Sequence, residues 1–133
     1  GGPRGDWARE HAGPKVRFLG QLTPAELHGC MAESRAVVAA SLCYESFALV
    51  PAEAHCLGTP VLASDLGNVG ASVRPGIDGL RFAPWNAKAL AGAVEALSAM
   101  QFDCNAIAAA ARRIYSEEEN TRALLRLYTK EDL

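Results

Sequence analysis

The sequence predicts an α/β domain in which helices flank a parallel sheet. Three observations predict it. The run Ala36–Ser41 (AVVAAS) is apolar without alternation, as a strand buried on both faces of a helix-covered sheet reads. Helix start and stop signals separate it from a second short run, Val61–Ser64. From Ala87 onward the pattern is helical, and strand-helix alternation followed by terminal helices is the signature of a layered α/β fold. At 133 residues, half of them hydrophobic, the chain has the length and composition of one domain with its own core.

Element by element, Gly1–Gly13 is rich in glycine, proline and charge, and reads as a loop entering a short helix at Trp7–His11. Val16–Leu19 reads as a strand. Thr23-Pro24-Ala25-Glu26 combines a capping hydroxyl, proline at the first helical position and a glutamate that completes a capping box, so a helix is expected over Pro24–Ser34. After the Ala36–Ser41 strand, Phe47–Leu57 fits a helix. Gly58 is placed for the left-handed residue that ends it, and Pro60 stops any continuation. Val61–Ser64 is the next strand, Leu66–Gly79 a glycine-containing turn region, and Leu80–Ala83 a further strand. Helices follow at Ala87–Met100 behind Asn86, at Asn105–Tyr115 and at Glu117–Tyr128, the last with Ser116 and Glu119 as a second capping box.

Several function classes lose support from composition. A formal net charge of -2 provides no basic field for nucleic acid. No apolar run approaches the roughly 20 residues that span a bilayer, and no signal peptide opens the chain, so a cytoplasmic location is expected. Cys30, Cys43, Cys56 and Cys104 form no CxxC pair and are expected as reduced thiols, mostly in the core. His11, His28 and His55 stand at no metal-ligand spacing, and their plain reading is surface or packing. An Asp-x-Asp pair, which could hold a cation against a diphosphate, is also absent, so no metal is expected.

The informative stretch runs from Ser41 to Ser64. It leads from one strand end, through a helix, into the next strand, and so places a loop at the carboxyl edge of the sheet, where open α/β folds bind ligands. A helix starting near Phe47 leaves its first-turn N–H groups unpaired and aimed at that edge, where its dipole favours an anion such as a diphosphate. Pro51 agrees, since proline is tolerated where a helical N–H has no partner. Glu53, about a turn and a half in, tilts back toward the same place, and a carboxylate can accept hydrogen bonds from both hydroxyls of a ribose diol. Glu45 precedes the helix and faces the other end of such a ligand. By spacing alone the pairing is weak, and two glutamates eight residues apart fit a solvated surface better.

Context separates these readings. The stretch resembles the E-x7-E signature of retaining GT-B glycosyltransferases of family 4, commonly written E-(G/P)-F-G-L-x-x-x-E-A-x-A-x-G-x-P-V-(I/V)-A-(S/T). Glu45, Phe47, Leu49, Glu53, Ala54, Gly58, Pro60, Val61, Ala63 and Ser64 match it in register. Val16–Gly20 is similar to the family's V-x-F-L-G, Gly76–Ala83 to its D-G-x-x-G-L-x-F, and Arg113–Tyr128 to its closing helix. The resemblance implies a Rossmann-like GT-B C-terminal half and the donor-binding part of a sugar transferase. A nucleotide-diphosphate sugar would be its donor substrate, with no metal and no other cofactor. It further implies that Glu45 contacts the donor sugar as the catalytic-site acid and that Glu53 holds the ribose. Backbone amides around Phe47, Ala48, Leu49 and Val50 would hold the diphosphate.

Two departures and one gap follow. Ala48 stands where the family usually has glycine, a departure that adds a methyl near the closest backbone approach to the phosphates and is expected to be tolerated. Gly67-Asn68-Val69-Gly70-Ala71 replaces Gly-Gly-x-Pro-Glu, so a glutamate contribution is lost from that loop. The family's diphosphate-binding arginine and lysine, its first two strands and its acceptor domain would all precede Gly1. In its sheet order, 3-2-1-4-5-6, those strands lie between Val16–Leu19 and Ala36–Ala40. The chain is thus expected as one partial domain, 1–133, that needs a missing N-terminal acceptor domain and does not turn over alone. Its Ala36–Ala40 strand is expected to pair with Val16–Leu19 or with a second copy. The resemblance also allows a parent peripheral to a membrane. A non-catalytic sugar-nucleotide-binding or interaction module of the same fold, and an epimerase-like domain, are the alternatives.

Overall fold

The computed structural model describes residues 3–129. In chain order it runs α1 (Pro3–His11), α2 (Pro24–Glu33), β1 (Val37–Ala39), α3 (Leu49–Cys56), β2 (Val61–Ser64), α4 (Gly67–Ala71), β3 (Gly79–Phe82), α5 (Ala87–Ala99), α6 (Cys104–Ile114) and α7 (Glu117–Thr129). The strands lie in the order β1-β2-β3 and all run parallel, with Val37 opposite Val61 and Val61 opposite Gly79. The α/β layered architecture expected from the strand-helix alternation is the one the chain forms.

β2 is the middle strand and all four of its residues are buried. Alternate side chains of a strand leave on opposite faces, so β2 serves two cores. Val61 and Ala63 join Ala48, Ala54, Val69 and Val73 under α3 and α4. Leu62 joins Phe82 and Leu97, with Leu90 and Ala93 of α5 packed alongside.

Caps set the helix starts. The Thr23 hydroxyl accepts from the Glu26 N–H at 3.4 Å, while the Glu26 carboxylate accepts the Thr23 N–H at 2.8 Å. Hydrogen bonds donated to this carboxylate by the Thr23 N–H and, at 2.7 Å, by the Thr23 hydroxyl hold the Glu26 carboxyl below the usual carboxylate range. Only half of the box at Ser116 forms: its hydroxyl accepts from the Glu119 N–H at 3.1 Å, but the Glu119 carboxylate turns to Arg122. At the far end of α3, Gly58 has φ +83°, and a Cβ there would sit 2.6 Å from the Cys104 carbonyl oxygen. That close approach packs α6 against α3, where Arg112 Nε donates to the Cys56 carbonyl at 2.9 Å.

Several expectations give way. Val16–Leu19 forms no strand: Val16 N–H closes a turn on the Gly13 carbonyl at 3.0 Å, and the Phe18 ring carries the Arg9 guanidinium at 4.8 Å. A strand exists only with a partner to take its N–H and C=O groups, and this segment has none among the described residues. Nor does it pair with the Ala36–Ala40 run, whose strand is Val37–Ala39. That strand is not buried on both faces, because β2 is its single neighbour among the described residues and Val38 is 47% exposed. The turn region after Leu66 holds α4, hidden in the sequence by two glycines in five residues. α1 begins at Pro3 rather than Trp7.

The cysteines also depart from the core reading: Cys30, Cys43 and Cys104 are exposed and Cys56 is half-buried, all as free thiols. Alanine and valine fill the first core instead, and leucine with Phe82 the second. No helix among the described residues is long and apolar enough to cross a membrane.

Candidate functional site

Three successive pieces of chain meet at the carboxyl edge of the sheet: the loop after β1, the first turn of α3, and the β2–α4 connection. α3 starts at Leu49, two residues later than the apolar pattern implies, because Ala48 adopts φ −89°, ψ 77° and acts as the N-cap. The Leu49 N–H turns back to the Phe47 carbonyl at 3.2 Å, whereas the N–H groups of Ala48 and Val50 have no acceptor among the described residues. Pro51, third in the helix, has no N–H to satisfy. The helix therefore presents free first-turn amides, which is an anion-binding arrangement.

The Ala48 methyl does not crowd that face. Ala48 is 5% exposed and belongs to the core cluster of Val61, Ala63 and Val69. Its φ is negative, so a Cβ is accommodated without strain and points into the protein.

The two glutamates occupy different surroundings. Glu53 lines a cleft of about 790 Å³ between α3 and the α6–α7 junction, together with Phe47, Leu49, Ala52, Tyr115 and Asn120. Phe47 and Tyr115 meet edge to face, ring centroids 6.0 Å apart, and form one wall. Burial pushes the Tyr115 hydroxyl up from its usual range. No arginine or lysine is among the residues lining this cleft. Glu45 does not line it. Its half-buried carboxylate accepts the Ser41 hydroxyl, and the Ser41 carbonyl in turn accepts the Ser64 hydroxyl at 2.8 Å. The structure thus brings Phe47, Leu49 and Glu53 together in the cleft, keeps Val50 exposed on the first turn, and places Glu45 on the neighbouring loop.

Asn68 was not singled out for chemistry by its sequence context, yet its side-chain N–H groups donate to the carbonyls of Glu45 at 3.0 Å and Ser46 at 2.7 Å. An Asn directly after a glycine signals only a turn. A second missed group is Asp78, 4% exposed, which accepts from both the Arg74 N–H and its guanidinium at 2.6 Å. The Asp78 carbonyl receives buried His55 Nε2 at 3.0 Å. Burial lowers the His55 pKa, and the Asp78 carboxylate partly opposes that fall. His55 is thereby a packing histidine, as its isolated position in the sequence suggests. No group of three or more His, Cys, Asp or Glu side chains able to hold a metal ion stands together among the described residues.

With this geometry in hand, known proteins place the chain. The family model described as "Glycosyl transferases group 1" matches residues 1–100. A Mycobacterium tuberculosis glycogen synthase is 37% identical over 101 residues, covering 72% of this chain and 24% of that protein. A Rhodococcus erythropolis D-inositol 3-phosphate glycosyltransferase is 36% identical over 119 residues, 87% of this chain and 27% of that protein. The chain therefore spans about a quarter of the length of these curated relatives. Among solved structures, sucrose-phosphate synthase from Thermosynechococcus elongatus superposes with a TM-score of 0.75 at 28% identity, covering 96% of this chain and 33% of that one. Anabaena HepE in complex with UDP has the same fold, with a TM-score of 0.75 at 23% identity over 87% of this chain and 32% of that one.

Proposed function

This chain belongs to the group 1 glycosyl transferases, and on that premise we propose that it forms the donor-binding part of a retaining, metal-independent glycosyltransferase acting on a nucleotide-diphosphate sugar. The observation that carries the reading is the start of α3, where free Ala48 and Val50 amides lie between two glutamates on adjoining chain. In this assignment the amides hold the diphosphate, Glu53 accepts from the ribose hydroxyls, and Glu45 contacts the sugar. The wall made by Phe47 and Tyr115 supplies apolar surface beside them.

A diphosphate carries at least two negative charges, and no arginine or lysine among the described residues lines the cleft. The proposal therefore includes a second body that supplies the cationic and acceptor-binding groups, without which the chain binds donor but does not turn over. A cytoplasmic location belongs to the same reading.

Calorimetric titration of UDP-, ADP- and GDP-glucose onto the chain tests it. Binding of one of them, weakened about tenfold or more by Glu53→Ala and by Glu45→Ala, is the expected outcome. A chain that binds none of them favours a non-catalytic interaction module on the same fold. Sugar transfer by the isolated chain would defeat the requirement for a second body.

A further inference from the structure

The proposed donor site needs its glutamate aimed, and the loop that carries Glu45 has no regular secondary structure of its own. We propose that Asn68 is the residue that positions it, an inference that rests on the function proposed above. Asn68 sits in α4, directly after β2, and reaches across the sheet edge to the β1–α3 loop. One amide group carries two hydrogens, and here two carbonyls, those of Glu45 and Ser46, each take one at 3.0 and 2.7 Å. With two acceptors facing the same terminus, the nitrogen is the atom that must point there.

The neighbouring glycine makes this reach possible. Gly67 has φ +52°, and a Cβ on it would lie 2.7 Å from the Tyr44 ring. With hydrogen alone there, the ring settles onto the backbone and the two loops close up. Glu45 is then held at both ends. Asn68 ties its backbone to the chain leaving β2, and Ser41, itself held by Ser64 at the end of β2, ties its carboxylate. An isolated loop glutamate would sample many rotamers, whereas this one is pre-ordered before any ligand arrives.

The clamp predicts a sugar-specific effect. Asn68→Asp removes both donors and sets carboxylate oxygens against two carbonyl oxygens, while leaving the first turn of α3 and Glu53 untouched. Titration of UDP-, ADP- and GDP-glucose beside UDP, ADP and GDP reads the result, with hydrogen exchange of the amides of residues 44–47 as a ligand-free measure of the loop. The expected result is faster exchange in this loop and about tenfold weaker binding of the nucleotide sugar the parent chain prefers, with the free diphosphate bound unchanged. In a Glu45→Ala background the same substitution should then have no further effect on the sugar. Asn68→Ala, which only deletes the donors, should move in the same direction by less.

Unchanged exchange would overturn the clamp. Equal weakening of sugar nucleotide and free diphosphate would reduce Asn68 to a structural contact and overturn the positioning role. A parent chain that binds none of the six ligands would instead sink the proposed function, and the positioning role with it, before any variant is made.

Discussion

β2 and the segment from Val16 to Leu19 are both four-residue stretches with three apolar residues each, V-L-A-S and V-R-F-L, and they end in opposite conditions. Val61, Leu62, Ala63 and Ser64 are at most 2% exposed, whereas Val16 and Leu19 are each more than half exposed and carry no ladder. The difference lies in neighbours rather than in the residues. β2 has a strand on each side and a helix over each face, so every backbone group and side chain finds a partner. The other segment has none among the described residues, and without a partner its N–H and C=O groups are better left to water. α7 lies toward the same end of the scale: Leu124, Leu125, Leu127 and Tyr128 are all exposed.

The largest effect that sharpens this contrast is expected at Leu62. Leu62→Ala opens a cavity between Phe82 and Leu97 and should cost about 2–5 kcal/mol, read by urea denaturation. A loss below about 1 kcal/mol would mean the second core is loosely packed. Gly58→Ala comes next. The left-handed φ and the 2.6 Å approach to the Cys104 carbonyl should cost about 1–3 kcal/mol and shift α6 away from α3.

The pH dependence of stability is a smaller lever. His55 has a depressed pKa in the fold, so below the ordinary histidine value of about 6.5 the unfolded chain takes up a proton that the folded chain resists. Stability therefore rises with pH across that window and falls on acidification through it. His55→Gln should flatten this slope below about pH 6.5. A slope unchanged in the variant would assign it to other groups. Smallest in stability is Val38→Lys on the open strand β1, expected within about 0.5 kcal/mol of the parent. It should nonetheless weaken self-association, because a lysine blunts pairing at a sheet edge. Sedimentation that finds the parent monomeric at high concentration would break the idea that β1 pairs with a second copy.

Much of the fold was legible because its signals are local. The Thr23–Glu26 capping box, Gly58 followed by Pro60, and Asn86 and Ser116 as helix starts each act within four residues, and each stands where its pattern placed it. Glu45 and Glu53 flank a helix start, but their spacing alone does not single them out; the match of Ser41–Ser64 to a family signature does. Asn68, Asp78 and Tyr115 could not be picked out, since their partners lie on other elements and nothing in their own neighbourhood announces the contact.

The sequence by itself determined the order of most elements, the ends of most helices and the placing of a ligand-type loop after β1, because propensity, capping and apolar runs act over a few residues. Only the tertiary structure decided which apolar runs became strands, that Glu53 lies in a cleft walled by Phe47 and Tyr115, and that Glu45 is held on a separate loop by Ser41 and Asn68. Those outcomes depend on groups tens of residues apart meeting in space, and burial and hydrogen-bond partners exist only once they have met.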